Sequence, residues 1–164
     1  MIALFPGSFH PPTVGHKDII ARAAAMFEKV YVAVMVNAEK TYVMSAEERV
    51  EMLKKMTACF SNVEVVSSAG LTADLARSLN AGVLVRGLRG TDDFEYEDRI
   101  AQVNRMLTGI DTVFLPSLPE HRCVSSTVVN DIARHGGAFE TMIPQEILND
   151  FRRVLSRRSK ECNK

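Results

Sequence analysis

The sequence has no tryptophan, few cysteines and no excess charge of either sign. The three cysteines, Cys59, Cys123 and Cys162, form no CxxC or CxxH pair, which argues against a disulfide framework or a zinc site. Lys and Arg number 20 and Asp and Glu number 20, so the formal net charge is +0. That balance excludes a general binder of nucleic acids or membrane surfaces. Any anion specificity must therefore come from locally placed basic residues.

Long apolar runs are also missing. No run is long enough to span a bilayer, and the N-terminus lacks the basic region and apolar stretch of a signal peptide. We therefore expect a cytoplasmic protein with reduced thiols. Its 164 residues, 46% of them hydrophobic, predict a single domain over residues 1–164.

Short apolar runs rich in Val, Ile and Phe recur along the chain. They mostly lack period-two alternation, as is typical of strands covered on both faces in a parallel sheet. Helix-periodic segments separate them, so the chain reads as β-α-β units with right-handed crossovers. The pattern predicts a doubly wound, Rossmann-like α/β domain. The runs are Ile2–Phe5, Val30–Val36, Val63–Val66, Val83–Val85 and Thr112–Leu115.

The helical segments carry recognisable boundaries. Ser45 and Glu48 have the spacing of a capping box, followed by an apolar stripe that reaches Phe60. Gly109 is placed to end the fourth helix, and Pro144 suits the first turn of a last helix over about 144–159. The remaining predictions are a third helix over Thr72–Asn80, a fourth running through Ile100, Val103 and Leu107, a fifth over Ser126–His135, and core or interface packing of Phe94, Tyr96 and Met106.

The first strand runs directly into a candidate phosphate-binding corner. Pro6-Gly7-Ser8-Phe9-His10-Pro11-Pro12-Thr13-Val14-Gly15-His16 joins it to the first helix. Backbone N–H groups and the positive end of a helix dipole favour an anion at such a turn. His16 adds a side chain that can hydrogen-bond the same anion. This corner predicts an enzyme that works on nucleotide phosphates.

Cations and hydroxyls follow the other strands as well. Ligands of open α/β sheets bind beyond the carboxyl ends of the strands, where this sequence places Lys40, Thr72, the Arg86-Gly87-Leu88-Arg89 turn and Ser125-Ser126-Thr127. Two alternatives stay open. The arginines could pair with Asp92, Asp93 or Glu95, and the hydroxyl cluster could be a simple helix cap.

These motifs resemble one family. Residues 8–16 are similar to the (H/T)xGH motif of the nucleotidylyltransferase superfamily. Arg86-Gly87-Leu88-Arg89 with Asp93-Phe94-Glu95-Tyr96-Glu97 resembles the RGLR…DFEYE segment of bacterial phosphopantetheine adenylyltransferases, and residues 124–127 resemble their ISSS/T signature. The likeness covers roughly residues 1–155. It implies a five-stranded parallel sheet in the order 3-2-1-4-5, with flanking helices.

The resemblance also implies an activity and a set of site residues. The family transfers the adenylyl group of ATP to 4′-phosphopantetheine, giving dephospho-coenzyme A and pyrophosphate. His16 would be catalytic, at the ATP α-phosphate, and Mg²⁺ would accompany ATP. The acceptor would be held by Ser8, Lys40, Thr72 and Arg86. ATP would be held by Ser8, Phe9, His16, Gly87, Leu88, Arg89, Glu97, His121, Arg122, Cys123, Val124, Ser125, Ser126 and Thr127.

The family is commonly hexameric, so the resemblance implies a homo-oligomer. Three positions depart from its pattern: His10 stands where an acidic residue is common, Ala38-Glu39 and Tyr42 replace a more usual loop, and Cys123 stands where an aromatic residue is frequent.

Other functions compete with this one. Another nucleotidylyltransferase would share the phosphate corner and use a different phosphate acceptor, such as a nicotinamide nucleotide or glycerol phosphate. A non-catalytic nucleotide-binding module would keep the fold without turnover. A flavodoxin-like carrier or receiver is disfavoured, because no acidic cluster follows the first strand.

Overall fold

The computed structural model describes residues 1–37 and 42–161, with side chains up to residue 157. Within these residues the strands form one five-stranded parallel sheet in the order 3-2-1-4-5, as predicted. The strands are β1 (Ile2–Gly7), β2 (Lys29–Met35), β3 (Val63–Ser68), β4 (Val83–Leu88) and β5 (Asp111–Pro116). The helices are α1 (Val14–Met26), α2 (Ala46–Thr57), α3 (Thr72–Ser78), α4 (Thr91–Thr108), α5 (Ser126–Arg134) and α6 (Leu148–Glu161).

The central strand β1 is covered on both faces. Ala3 and Phe5 pack in a large core shared with α1, α2, α5 and α6, whereas Leu4 faces a smaller core under α3. Adjacent residues of a strand point to opposite faces, so all three side chains are buried. This explains why the apolar run of β1 lacks alternation. All strands are parallel, so their carboxyl ends lie along one edge of the sheet.

Local signals in the sequence set several helix ends. At the start of α2, the Ser45 hydroxyl accepts from the Glu48 N–H (3.2 Å), and the Glu48 carboxylate accepts from the Ser45 N–H (2.9 Å). The predicted capping box is therefore confirmed. At the end of α4, Gly109 adopts φ 75°, a left-handed conformation that glycine reaches without steric cost.

Other helix ends differ from the predictions. Helix α2 ends at Thr57, so Phe60 packs on the core from the turn that follows rather than from the helix. Helix α3 ends at Ser78, before Asn80 takes φ 52°. Pro144 is followed by a 3₁₀ turn over Gln145–Ile147, and α6 begins only at Leu148. No helix within the described ranges has both the length and the hydropathy needed to cross a bilayer.

Helix α4 presents much of its apolar surface to the outside. The side chains that remain accessible are Phe94, Tyr96, Ile100, Val103, Met106 and Leu107, between 41% and 86% exposed. Of the two places predicted for Phe94, Tyr96 and Met106, the core is therefore wrong within this chain, and an interface stays a prediction. The buried residues of α4 are instead polar, Glu97 and Asn104. The Glu97 carboxylate faces β4, where it accepts hydrogen bonds from Arg86.

Candidate active site

The corner between β1 and α1 is built around a buried aromatic ring. Phe9 is 1% exposed, and its backbone has φ 47°. The ring lies so close to Gly7 that a Cβ there would stand 2.9 Å from it, so a larger residue at position 7 would force the buried ring to move. The edge of the ring also meets His16, with 5.0 Å between ring centroids. Phe9 therefore shapes the β1–α1 corner with its backbone, and its side chain packs against the imidazole of His16.

His16 is part of a capping box that begins helix α1. The Thr13 N–H donates to Nδ1 of His16 (3.0 Å), and the His16 N–H donates to the Thr13 hydroxyl (3.4 Å). Histidine thus occupies the third helical position, where Glu or Gln usually closes this motif. Since Nδ1 accepts a hydrogen bond, the neutral ring carries its proton on Nε2. The ring therefore has a fixed tautomer with one N–H donor left.

The protonation state of His16 is also fixed by its surroundings. Burial of the imidazole lowers its pKa, and the positive charges of Arg89 and Arg86 lower it further, to about 4. Burial and like charge both disfavour the imidazolium. His16 is therefore a neutral hydrogen-bond donor at pH 7, and both arginines lie close enough to act on it.

Arg86, from β4, is held by a bidentate pair with Glu97. Its Nε donates to Oε2 (2.6 Å) and its Nη2 donates to Oε1 (2.5 Å), while Nη1 donates to the Pro6 carbonyl at the end of β1. Glu97 is 9% exposed. Planar bidentate geometry fixes a guanidinium more firmly than a single contact. Nη1 and Nη2 each keep one N–H group that these bonds do not use. Arg86 can therefore bind an anion as well.

Arg89 has a similar partner four residues further along the chain, in the first turn of α4. Its Nε and Nη2 donate to the two oxygens of Asp93, at 2.7 and 3.0 Å. Burial would raise the pKa of Asp93, but the hydrogen bonds and charge of Arg89 outweigh burial and lower that pKa. Asp93 is therefore ionised at neutral pH. Of the acidic partners considered from the sequence, the structure selects Asp93 for Arg89, whereas Arg86 takes the more distant Glu97.

The start of helix α5 is tied to the β1–α1 corner. The Ser125 hydroxyl caps the helix by accepting from the Val128 N–H (3.1 Å), and the Ser126 hydroxyl donates to the Pro11 carbonyl (2.8 Å). Asn130 adds a hydrogen bond to the His10 carbonyl (2.8 Å). Capping thus accounts for the Ser125 hydroxyl. The other two bonds tie the N-terminus of α5 to the loop before α1, so the positive ends of two helix dipoles lie at the same corner.

These elements enclose one cavity of about 260 Å³ at the carboxyl edge of the sheet. Among the described residues that line it are two arginines and two carboxylates, so these formal charges cancel. An anion would therefore depend on the backbone N–H groups, the helix ends and the His16 donor. The cavity collects these residues of the predicted site: Ser8, Phe9, His16, Arg86, Gly87, Arg89, Glu97, Val124, Ser125, Ser126 and Thr127.

Other predicted residues stand apart from the cavity. Thr72 begins α3, and neither it nor Leu88, His121, Arg122 or Cys123 lines the cavity. Lys40 lies outside the described residues. Sequence reasoning also missed contributors. Thr13 could have been found from its capping-box spacing to His16, whereas the contact of Asn130 depends on long-range packing.

The chain is similar to known proteins over most of its length. The cytidylyltransferase-like family matches residues 4–131. The phosphopantetheine adenylyltransferase of Picosynechococcus sp. is 48% identical over 92% of this chain and 85% of its own. That of Synechococcus sp. is 45% identical over 95% of this chain and 96% of its own. That of Clostridium botulinum strain Alaska E43 is 42% identical over 97% and 98%.

A solved structure shares the fold at much lower identity. The Vibrio parahaemolyticus chain assigned as a nicotinate-nucleotide adenylyltransferase superimposes with a TM-score of 0.62 and 17% identity. The match covers 90% of this chain and 96% of that one. It supports the α/β architecture and carries no information on the acceptor.

Proposed function

The chain belongs to the phosphopantetheine adenylyltransferases of the cytidylyltransferase-like family, and we propose that the cavity at the carboxyl edge of its sheet is where it transfers the adenylyl group of ATP to 4′-phosphopantetheine. The chain is a nucleotidyltransferase of coenzyme A biosynthesis. The observation that carries the assignment of the site is the neutral His16, with its Nε2–H, in a cavity that two arginines and two helix N-termini also line.

The reaction requires little covalent help from a protein. A phosphate oxygen of the acceptor attacks the α-phosphorus of ATP, the bond from that phosphorus to the bridging oxygen breaks, and pyrophosphate leaves with the bonding electrons. Two anions must therefore be held in line while charge on the transferring group is balanced. Donors that already point at the developing charge provide most of such catalysis.

Several residues of the cavity have a role in this scheme. His16 donates from Nε2 to the α-phosphate in the transition state. Arg89 and the N-terminus of α5, with Ser126 and Thr127, hold the triphosphate. Arg86, positioned by Glu97, faces the acceptor phosphate together with Ser8. We keep Lys40 and Thr72 as acceptor residues on the basis of the family motif alone.

Mg²⁺ would enter with ATP. The described residues contain no group of three or more His, Cys, Asp or Glu side chains arranged to hold a metal. The two carboxylates that line the cavity, Asp93 and Glu97, are both bonded to arginines. This fits an ion carried by ATP phosphates and water, which is the usual binding mode of Mg²⁺ beside nucleotides. Bound there, Mg²⁺ would neutralise phosphate charge.

An acceptor panel tests the proposed activity. The purified protein is mixed with ATP, Mg²⁺ and one acceptor at a time, and pyrophosphate release is followed. We expect release with 4′-phosphopantetheine at a kcat/KM at least about a hundredfold above that with nicotinamide mononucleotide or glycerol 3-phosphate, since a site built for one phosphate acceptor leaves polar groups unpaired with another. Preference for another acceptor would identify a different nucleotidylyltransferase, and ATP binding without release would indicate a non-catalytic module.

We also propose that the protein is a homo-oligomer. The support is the apolar surface of α4, where Tyr96 is 62% exposed, Val103 53% and Met106 86%. A patch of this kind is typical of an interface between proteins. Light scattering should give a mass several times 18.2 kDa, and the double variant Val103→Glu/Met106→Glu should have a lower mass. A monomeric wild-type protein would contradict this proposal.

The three cysteines, which form no CxxC or CxxH pair, support a cytoplasmic location.

A further inference from the structure

A buried arginine outside the cavity holds the loop that forms it. Arg49, on α2, is 1% exposed and was not singled out in the sequence. Its Nη1 donates to the Ser8 carbonyl (2.8 Å), and its Nε donates to the Ser45 carbonyl (3.2 Å). Its guanidinium carbon lies 4.2 Å from the centre of the Tyr42 ring. The guanidinium is therefore restrained from three directions.

Tyr42 is itself fixed by a departure from the family pattern. His10 meets the Tyr42 ring edge-on, with 5.1 Å between centroids. Its Nε2 also accepts from the N–H groups of Val43 and Met44, at 2.9 and 3.2 Å. His10 thus joins the segment before α2 to the β1–α1 corner. The β1–α1 corner therefore holds the Tyr42 ring through His10. Arg49, which lies on that ring, in turn holds the corner through the Ser8 carbonyl.

The hydrogen bond from Arg49 to the Ser8 carbonyl also sets the direction of the next N–H group, that of Phe9. A trans peptide is planar, with the carbonyl and the following N–H pointing in opposite directions. Because Arg49 binds the Ser8 carbonyl, the Phe9 N–H points away from Arg49. Among the described residues this N–H has no hydrogen-bond partner, although Phe9 is 1% exposed and lines the cavity. Buried N–H groups are nearly always paired, with protein or with water, so the Phe9 N–H is available to a group that enters the cavity.

We infer that Arg49 is a positioning residue: by holding the Ser8 carbonyl it turns the Phe9 N–H into the cavity, where the N–H donates to a phosphate oxygen of a reactant. This inference rests on the proposed function for its kinetic effect. The direction of the Phe9 N–H matters because the formal charges of the described cavity residues cancel. Backbone donors therefore carry much of the anion binding.

Kinetics of three variants test the role. Arg49→Met removes the donor and keeps an apolar chain of similar length. Arg49→Lys keeps one donor for the Ser8 carbonyl. Arg22→Met is the control, because Arg22 also donates to a backbone carbonyl, that of Pro116 (2.7 Å), outside the cavity lining. We expect Arg49→Met to lower kcat/KM by roughly tenfold to a hundredfold, less than outright loss of an oxyanion donor. Arg49→Lys should recover part of the loss, and Arg22→Met should change kcat/KM less than about twofold.

A second readout does not depend on turnover, and its first measurement uses the wild-type protein. Ser8-Phe9 is the only Ser-Phe pair in the sequence, so ¹³C-carbonyl serine with ¹⁵N-phenylalanine gives one selective NMR signal, the Phe9 N–H. We expect inorganic pyrophosphate to shift this signal in the wild-type protein, and to shift it less in Arg49→Lys. A signal that ignores pyrophosphate would overturn the inference. So would an Arg49→Met protein with a lowered Tm and an unchanged kcat/KM. A wild-type protein that binds pyrophosphate at Phe9 without transferring adenylyl groups would instead count against the proposed function alone.

Discussion

His16→Ala should lower kcat by about 10²–10³-fold, the usual effect of removing one donor aimed at a developing charge, while the Kd for ATP changes only severalfold. The reason is that His16 is neutral at pH 7, so it adds little attraction for the ground-state phosphates. Its Nε2–H gains strength when charge accumulates on the transferring group. Stopped-flow or steady-state kinetics with calorimetry for ATP binding would measure both quantities. Equal losses in turnover and affinity, or no loss at all, would remove the role.

The capping box requires a separate control. His16→Ala also removes the acceptor for the Thr13 N–H, and loss of such a contact costs about 1 kcal/mol of stability. In His16→Glu the carboxylate can accept from Thr13 as in an ordinary capping box, but it cannot donate to a phosphate. We expect its Tm to return toward the wild-type value while kcat stays low. If kcat recovered together with Tm, His16 would act only through the start of α1.

The free energy of unfolding should fall by about 2 kcal/mol from pH 8 to pH 5 through His16 alone. The folded pKa is about 4 and the ordinary value is 6.5, so between these values the unfolded chain binds more protons than the folded one. Stability therefore rises with pH through this window and levels off above pH 6.5. The contribution is lost progressively as pH falls toward 4.

Urea denaturation of the wild type and His16→Ala across pH 5–8 measures this contribution. Carboxylates titrate in both proteins, so the difference between their pH slopes isolates His16. We expect the wild type to lose about 2 kcal/mol more than the variant on acidification. Parallel slopes would show that the folded protein does not suppress protonation of this ring. In the same range, kcat should show no fall that depends on His16.

The fold was largely predictable because several levels of the sequence agree. The apolar runs lack alternation since both faces of β1 are covered, as Ala3, Leu4 and Phe5 show. Capping and glycine signals at Ser45 and Gly109 mark helix ends through local backbone chemistry alone. A fold can be predicted from its sequence when such local preferences agree with the global structure.

The exposed face of α4 could not be predicted in the same way. A helical stripe such as Ile100, Val103 and Leu107 shows that an apolar face exists, but not what covers it. The core position considered for Met106 failed because the buried positions of α4 went to Glu97 and Asn104. Glu97 is buried where it pairs with Arg86 beside the cavity, a contact that only the packed structure reveals.

The candidate site shows the same division. Convergence of His16, Arg86 and Ser126 follows from the parallel sheet, which brings the carboxyl ends of its strands to one edge. Side-chain pairing does not follow, because Arg86 and Glu97 are eleven residues apart on different elements. Arg49 was invisible for another reason. An arginine near the start of a helix normally indicates a solvated surface, and only tertiary contacts with Ser8 bury it.

The most direct measurement is a crystal structure of the protein with a non-hydrolysable ATP analogue, Mg²⁺ and 4′-phosphopantetheine. We expect the α-phosphate within hydrogen-bond distance of Nε2 of His16, the acceptor phosphate beside Arg86, and the polyphosphate at the N-terminus of α5. Phosphate groups bound elsewhere on the molecule, or an α-phosphate beyond the reach of His16, would contradict the assignment of this cavity.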